Sequence, residues 1–321
     1  MKVTWYLLAS GRFIEGSAPA GWQAASLDPT SEIWLDIENP EPEQLRTLLA
    51  PLALHPLALA RCLIPKNIPG VLSFESAVLL EFPAVLAAEA NDPAYLTLVL
   101  RAGVLLTLRS APMPALDDLV QELMGDKAAA SEDLAQLMYL ILDHLADLSV
   151  RAEIDVRDQV LRTARTLTED PARVDAAELT RLRWQVDRLA SLIESQLYSV
   201  VGLKASDNPA LKQPHRNAYL QDLVSELELA QRGTYRLDSR VNDLYSYYQM
   251  TQSDQVDRRL RILTIVSVIA LPLGLIAGLL GMNVGGLPAT ETPWGFGIVM
   301  LLMVGIALTE LLYFKRRGWF R

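Results

Sequence analysis

Cysteine and histidine are scarce in this chain of 321 residues, which contains one cysteine and three histidines. A single cysteine, Cys62, excludes a disulfide framework and a zinc cluster built from several cysteines. The histidines, His55, His144 and His215, do not follow the spacing of any metal motif. His144 with Asp147 is the best candidate for a metal site, although a solvated or packing helix face is the more ordinary explanation.

Motifs for catalysis and for phosphate binding are also missing. The chain has no Gly-rich loop after a strand, no catalytic triad and no paired-carboxylate motif. We therefore predict no enzymatic activity and no cofactor. The N-terminal stretch MKVTWYLLASGRFIEG lacks the long apolar core of a signal peptide, so residues 1–256 are predicted to have no export route and to be cytoplasmic.

Charge is nearly absent from two long apolar runs near the C-terminus. Residues 262–280 (ILTIVSVIALPLGLIAGLL) carry none, and residues 296–314 carry only Glu310. Each run has nineteen residues, enough to cross the hydrocarbon core of a bilayer. The basic segments DRRLR and KRRGWFR flank the two runs, so by the positive-inside rule both flanks lie in the cytoplasm. The sequence thus predicts a multi-pass protein of a bacterial inner membrane, with both termini cytoplasmic.

Acidic residues dominate the rest of the chain. Residues 258–321 carry seven Lys or Arg against two Asp or Glu, so the net charge of −9 leaves −14 on residues 1–257. A domain this acidic is not expected to bind nucleic acid, and it raises the local concentration of cations. Solubility alone explains the acidity equally well.

Residues 1–113 show the short alternating segments of an α/β domain. Five runs rich in aliphatic and β-branched residues predict strands, at 3–9, 32–37, 71–82, 94–101 and 104–109. The dipeptide Ala102-Gly103 predicts a hairpin between the last two. The segments PEPEQLRTLLAPL and HPLALARCL predict short helices.

Long amphipathic helices are predicted after Pro114. The first covers residues 131–167, with Ser131 in the N-cap position, and the second covers residues 175–203. The breaker-rich segment KASDNPALKQP follows as a linker.

A third helix is predicted from residue 215 to residue 280, because no proline lies between Pro214 and Pro272. This helix would pass from the cytoplasm into the membrane without a break. Its heptad seam requires partners, which are either other helices of the chain or copies of this helix. The seam consists of Leu220, Leu223, Leu227, Ala230, Thr234, Leu237, Val241, Leu244, Tyr248 and Thr251.

The polar and small residues of the first span share one helical face, while bulky residues are predicted to face lipid. The shared face carries Asp257, Leu260, Thr264, Ser267, Leu271, Gly274, Gly278 and Gly281, three or four residues apart. The bulky positions are Ile262, Ile265, Ile269 and Ile276. Such a stripe indicates either close packing between helices or the lining of a pore.

The pore interpretation is favoured by Asn283, just beyond the helix end. Amide oxygens can hold a hydrated cation through its waters, which suits Mg²⁺ because that ion loses water reluctantly. Leu260, Leu263 and Leu271 would form hydrophobic constrictions along the path. One helix cannot enclose a pore, so this interpretation requires a symmetric oligomer.

The tripeptide GMN at 281–283, directly after the first of two C-terminal spans, resembles the signature of the CorA-type divalent cation transporters. The segment LTIVSVIALPLGLIAGLLGMN is similar to that family's first span, and YFKRRGWF is similar to its basic ending. The segments WLDIENPEPEQL and HPLALARCL resemble its N-terminal motifs, although Arg61 stands where an acidic residue is more usual. The resemblance covers the chain from Trp34 to its end.

This resemblance implies a funnel-shaped homopentamer with a cytoplasmic α/β domain, a stalk helix that enters the membrane and two transmembrane helices. Asp257 departs from the Asn common at that position, and Gly274 replaces a pore-facing Thr. Glu291 would form an outer ring that attracts cations, or would simply solubilise the loop. The implied selectivity loop is Gly281, Met282 and Asn283, and the implied pore lining is Asp257, Leu260, Leu263, Thr264, Ser267, Leu271, Gly274 and Gly278.

The predicted domain boundaries follow from these segments. They are 1–113 for the cytoplasmic sheet region, 114–214 for the long-helix region of the same domain, 215–261 for the stalk, 262–280 for the first transmembrane helix, 281–295 for the outer GMN loop, 296–314 for the second transmembrane helix and 315–321 for the basic cytoplasmic tail.

The segment VGGLPATETPWG after GMN guides the expected choice of cation. Magnesium-type members often continue with an aromatic residue and a Met-Pro-Glu segment, whereas this segment resembles the zinc-transport branch, ZntB. We therefore expect transport of hydrated Zn²⁺, held at Asn283 through its waters, with Mg²⁺, Co²⁺ and Ni²⁺ as alternatives. A loop that tolerates change would say little about the ion.

A membrane-anchored oligomeric scaffold or metal sensor is the alternative from another class. In that case the first span has an apolar interface and no water path. Proton coupling would require a titratable relay, and the first span has no acidic residue or His between Arg261 and Asn283. The sequence indicates neither the direction of transport nor its coupling.

Overall fold

The computed structural model describes residues 1–9, 12–16, 22, 32–86, 93–124, 133–211, 216–282 and 294–319. The chain divides into two compact units, Met1–Leu244 and Tyr245–Arg321. The strands are β1 (Lys2–Ala9), β2 (Arg12–Gly16), β3 (Ile33–Glu38), β4 (Gly70–Phe74), β5 (Ala77–Leu86), β6 (Pro93–Arg101) and β7 (Val104–Arg109). The helices are α1 (Pro42–Leu49), α2 (Pro56–Leu63), α3 (Pro114–Met124), α4 (Leu134–Glu169), α5 (Ala176–Ala205), α6 (Arg216–Leu280) and α7 (Gly295–Arg316).

The first unit contains one mixed sheet, with the strand order β2-β1-β3-β7-β6-β5-β4. Strands β3 and β7 are parallel, and the other neighbouring pairs are antiparallel. These two central strands are buried along almost their whole length, as expected for a sheet that helices cover on both faces. The predicted N-terminal α/β architecture is confirmed.

Alternate residues of β3 contribute to two separate cores. Ile33, Leu35 and Ile37 belong to a core that also contains residues of α1 and α2. Trp34 belongs to the other core, with residues of α3, α4, α5 and α6. Because successive side chains of a strand point to opposite faces, the short helices lie on one face of the sheet and the long helices on the other.

A buried ion pair links β3, β7 and α3. Arg109 donates to Asp36 (Nη2–Oδ2 3.0 Å) and to Asp117 (Nη1–Oδ1 2.8 Å). The hydroxyl of Thr107 donates to Asp36 at 2.7 Å. Burial raises the pKa of Asp36. The hydrogen bond from Thr107, the positive charge of Arg109 and the hydrogen bond from Arg109 oppose that rise. The carboxylate is therefore satisfied although only 3% of the residue is exposed.

The prediction of a single strand over 71–82 is wrong. Strands β4 and β5 form an antiparallel hairpin there, with Glu75 and Ser76 in the turn. Strand β2 and helix α3 are present in the structure, although the sequence pattern does not predict them. The predicted hairpin between β6 and β7 is confirmed, and Gly103 in its turn has a φ of 78°, which favours glycine.

The N-cap of α4 is Asp133, not Ser131. The carboxylate of Asp133 accepts bonds from the backbone N–H groups of Ala135 and Gln136, both at 2.9 Å. Ser131 lies outside the described residues. An acidic cap satisfies two free N–H groups and also complements the positive end of the helix dipole, which a serine does less well.

The heptad seam of α6 is filled from within the chain over most of the first unit. The seam residues from Leu220 to Val241 are at most 5% exposed, and the apolar ones belong to the same core as residues of α4 and α5. Of the two kinds of partner that the pattern allows, the structure thus identifies helices of the same chain for this part of α6.

The second unit contains the last part of α6, together with α7. Both helices are long and apolar enough to cross a membrane. Helix α6 continues through Pro272 without a break, so the first span belongs to the same helix that begins at Arg216. The predicted continuous helix is therefore present.

Candidate cation path and cytoplasmic carboxylate cluster

The predicted pore-lining residues all lie exposed on α6 in the single chain. Leu260, Leu263 and Leu271 are 54%, 63% and 73% exposed. Asp257, Thr264, Ser267, Gly274 and Gly278 are exposed as well. Among the residues that the structure describes, the whole stripe is therefore exposed.

The covered residues of the two spans form one face on each helix. On α6 they are Ile265, Ile269, Pro272, Leu273, Ile276 and Leu280, and on α7 they are Gly295, Val299, Met303, Ile306, Ala307, Glu310 and Phe314. At about 100° per residue, the covered face and the exposed stripe of α6 are centred about 180° apart.

This arrangement corrects the expectation that the bulky isoleucines of the first span face lipid. Ile265 is only 7% exposed, and Ile269 and Ile276 are partly covered. Only Ile262, at 60%, is exposed. Three of the four isoleucines are therefore at least partly covered within the chain.

The glycines of the stripe do not serve helix packing within the chain. A Cβ atom added at Gly274 or Gly278 would meet nothing within 4 Å. Close packing of small residues, the alternative explanation for the stripe, therefore has no partner among the described residues of the chain. It would require a second copy.

The end of α6 leaves little room for a side chain at Gly281. The N–H of Gly281 donates to the carbonyl of Ala277 at 2.9 Å, and a Cβ at this position would lie 3.0 Å from the same oxygen. Below it, the hydroxyl of Thr264 donates to the carbonyl of Leu260 at 2.8 Å. The first two residues of GMN are thus placed at the helix end. Asn283 and Glu291 lie outside the described residues, as does His215.

The other predicted metal candidates, His144 and Asp147, lie on α4 opposite two carboxylates of α6. Asp147 is hydrogen-bonded to Glu226 and forms a long ion pair with Arg151, at 3.9 Å. Among the residues that the structure describes, no group of three or more His, Cys, Asp or Glu could hold a metal ion. The geometry thus gives no support to a metal site at His144 and Asp147.

Carboxylates of α4 and α6 nonetheless interact closely. Burial raises the pKa of Glu226 to about 7, helped by its bond to Asp147 and by the charges of Asp143 and Asp222. Burial also raises the pKa of Asp143, whose Oδ1 accepts a bond from the hydroxyl of Tyr139 at 3.0 Å. The pKa of Glu226 therefore lies near neutral pH.

The sequence pattern did not single out Asp222 and Glu226. One signal was available, because Asp143 and Asp147 are four residues apart, as are Asp222 and Glu226, and such spacing puts each pair on one helix face. The packing of α4 on α6 then brings the two pairs together. That packing depends on the tertiary fold, so the sequence alone could not reveal it.

Comparison with known proteins identifies the family. The family model described as "CorA-like Mg2+ transporter protein" matches residues 31–316. The chain belongs to this CorA family. Membership confirms that it is a transporter and not an enzyme, and that it is a membrane protein with C-terminal transmembrane helices.

Individual relatives agree in length and fold. The chain is 26% identical over 313 residues to the divalent cation transporter CmaX of Pseudomonas aeruginosa, covering 92% of this chain and 91% of CmaX. It is 25% identical over 291 residues to the cobalt/magnesium transport protein CorA of Methanocaldococcus jannaschii, covering 89% and 91%. The complete structure of that archaeon's CorA magnesium transporter superposes with a TM-score of 0.85 at 21% identity, covering 99% of both chains. The predicted fold is thereby confirmed.

The assignment to the zinc-transport branch is not supported. A ZntB structure, the cytoplasmic domain from Vibrio parahaemolyticus, superposes with a TM-score of 0.64 at 13% identity over 78% of this chain. That likeness concerns the shared fold alone. The residues behind the assignment, VGGLP, lie outside the described residues, and a short loop contributes little to similarity over a whole chain.

Proposed function

We propose that this CorA-family protein transports divalent cations through a central pore, lined by α6 in a homopentamer, with Mg²⁺ and Co²⁺ as the favoured ions. The observation that carries the proposal is the position of the polar stripe. It lies on the face of α6 opposite the covered face, and it is exposed from Asp257 to Gly278. A face that is unsuited to lipid and uncovered in the single chain fits the inside of a symmetric ring.

The choice of ion follows the relatives. Two of them are named cobalt/magnesium transport proteins, from Thermotoga maritima and Methanocaldococcus jannaschii. The zinc interpretation depends only on the segment after GMN, so Zn²⁺ and Ni²⁺ are secondary candidates. Mg²⁺ and Co²⁺ both bind oxygen ligands and water readily, which suits a path that offers hydroxyls and an amide.

The proposed mechanism uses the hydration shell of the ion. The acidic unit at the cytoplasmic end attracts cations, and Thr264 and Ser267 offer oxygens to the waters around them. Leu260, Leu263 and Leu271 form narrow apolar rings that admit water only in the open state. At the outer end, the five copies of Asn283 hold the hydrated ion through its waters. The protein lies in the bacterial inner membrane with both termini in the cytoplasm, and Glu291 is outside.

Flux through the reconstituted full-length protein tests the proposal. Liposomes are loaded with a metal-sensitive dye, and Mg²⁺, Co²⁺, Ni²⁺ and Zn²⁺ are added separately and in competition. We expect Mg²⁺ and Co²⁺ to enter faster than Zn²⁺, and Asn283→Ala to lose most of this flux. Leu301→Ala, at a position on α7 that is 78% exposed, is the matched control and should transport normally. Absence of flux for all four metals would rule out the function.

Accessibility of introduced cysteines separates a pore from a scaffold. The native Cys62 is fully buried, and burial raises the pKa of its thiol to about 12, so it remains unreactive. Ser267→Cys should react with a small charged thiol reagent in the membrane, and Mg²⁺ should slow the reaction. Ile269→Cys, on the covered face of α6, should not react. Equal protection of both cysteines would favour the scaffold.

A further inference from the structure

The second span ends in three consecutive basic residues, Lys315, Arg316 and Arg317. All three are exposed, and among the residues that the structure describes none of them forms an ion pair. The nineteen residues before them, 296–314, measure about 28 Å as a helix, close to the thickness of the hydrocarbon core of a bilayer. The three cations therefore lie at the depth of the lipid phosphates.

The backbone closes the end of α7 in a Schellman motif. Gly318 has a φ of 75°, which favours glycine, and its N–H donates to the carbonyl of Lys315 at 3.2 Å. The N–H of Trp319 donates to the carbonyl of Phe314, also at 3.2 Å, and the two rings lie 5.0 Å apart. Because backbone N–H groups satisfy these carbonyls, the basic side chains are not needed to cap them.

The three cations surround the exposed side of this helix end. At about 100° per residue they spread over about 200° of the circumference, and Phe314, only 6% exposed, lies on the remaining side. The Cζ atom of Arg317 lies 5.4 Å from the ring centroid of Tyr313, a residue that is 54% exposed. This cation–π contact holds the guanidinium beside the ring and leaves its N–H groups to bind oxygen.

A phosphodiester fits this arrangement. Its oxygens accept the paired N–H donors of an arginine, and its charge offsets that of the unpaired cations. Tyr313 and Trp319 are residue types that favour the boundary between lipid and water. We infer that residues 315–319 bind the headgroup phosphate of an anionic phospholipid. A zwitterionic headgroup fits less well, because it brings a cation of its own to a cluster of three. The inference goes beyond the proposed function and does not depend on it.

The basic segment before the first span differs in two respects. It lies inside the continuous helix α6, so no turn closes it. Asp254 and Asp257 also precede Arg258 and Arg261 by four residues each, a spacing at which opposite charges offset one another along a helix. We therefore assign the lipid site to the end of α7.

Lipid binding to the full-length protein in detergent tests the inference. The protein is titrated with phosphatidylglycerol or phosphatidylcholine, and bound lipids are counted by native mass spectrometry. We expect phosphatidylglycerol to bind more tightly. The triple variant Lys315→Gln, Arg316→Gln, Arg317→Gln should lose this preference, by about fivefold for each charge removed. If the triple variant keeps the wild-type preference, the inference is overturned.

Two controls make the result specific. The triple variant Arg232→Gln, Arg236→Gln, Arg240→Gln makes the same change in charge at exposed positions of α6 and should keep the preference. Glycerol 3-phosphate at the concentration of the lipid should not displace phosphatidylglycerol. Displacement would mean that the turn binds soluble phosphate esters, and would overturn the assignment to a lipid.

Substitutions at Gly318 test the turn without changing any charge. Gly318→Val should disfavour the left-handed backbone, free Trp319 from Phe314 and lower the preference for phosphatidylglycerol. Gly318→Asn should keep the preference, because asparagine tolerates this conformation. The same titration and mass measurement compare the two variants. Wild-type binding by Gly318→Val would mean that the closed turn is not part of the site, and would overturn the inference.

Discussion

The two halves of α6 are parts of one helix but have opposite environments. From Leu220 to Val241, the seam residues are buried by helices of the same chain, and Thr234 is completely covered. From Asp257 to Gly278, the polar stripe on the other side of the helix is exposed. The seam residues of the first half thus find their partners within one copy of the chain. In the second half, one face is covered within the chain and the polar stripe is exposed.

This difference shows that a helical stripe has no fixed meaning until its partners are known. In the first half, the apolar seam packs into the hydrophobic core of a folded domain. In the second half, an apolar face is covered and the polar face is exposed. The three predictions below test the contrast by making matched substitutions in the two halves.

The largest effect is expected for leucines. Leu227 is fully buried in the first half, and Leu271 is 73% exposed in the second. Leu227→Ala should lower the free energy of unfolding by about 2–5 kcal/mol, because it leaves a cavity. Leu271→Ala should change it by less than about 0.5 kcal/mol, and should instead raise leak flux by widening a constriction. Thermal unfolding in detergent and liposome flux measure the two effects. Equal destabilisation would mean that Leu271 is packed in the assembled protein.

Glycines provide the second comparison. A Cβ at Gly233 would lie 2.7 Å from Oε1 of Glu153 on α4, a residue that is only 6% exposed. Gly233→Ala should therefore cost about 1–3 kcal/mol through overpacking. Gly274→Ala meets no atom and should stabilise the helix by up to about 1 kcal/mol. The unfolding midpoints of the two variants and of the wild type, measured under the same conditions, give the two effects. If Gly274→Ala lowers the midpoint, Gly274 lies in a close helix contact between copies.

The smallest effect concerns pH. The pKa of Glu226 rises from its usual 4.5 to about 7 on folding, so the folded state binds this proton more tightly than the unfolded state. Its stabilising contribution is fully present below pH 4.5 and is lost as the pH rises through 7. Glu226→Gln should flatten that part of the pH profile of the unfolding midpoint. Asp254→Asn, at an exposed position in the second half of α6, should leave it unchanged.

Much of the fold follows from local patterns. Hydrophobic periodicity marks the long helices, the two spans and most strands. The dipeptide Ala102-Gly103 marks the hairpin between β6 and β7. The hairpin at Glu75-Ser76 was missed because no Gly, Pro, Asn or Asp separates its two strands. The N-cap of α4 was predicted at Ser131 and not at Asp133 because both residue types are good N-caps. Only the backbone conformation distinguishes the two positions.

The candidate site is predictable along one helix but not across helices. Spacing along α6 is enough to group Thr264, Ser267 and Gly274 on one face. It cannot say which face of the first span is covered within the chain, so the isoleucines were assigned to lipid. Nor can it bring Asp147 beside Glu226, since that contact joins residues far apart in the chain. The choice among cations depends on a short loop, where one sequence allows several ions.

The hydroxyl of Thr264 has a further consequence for what a passing ion would encounter. Its hydrogen is engaged by the carbonyl of Leu260, so the oxygen has only lone pairs left to offer. Water molecules that surround a cation turn their hydrogens outward, and such hydrogens need acceptors. A threonine held in this way can accept hydrogen bonds from the waters around a cation. It has no hydrogen left to donate to an anion or to the waters around one.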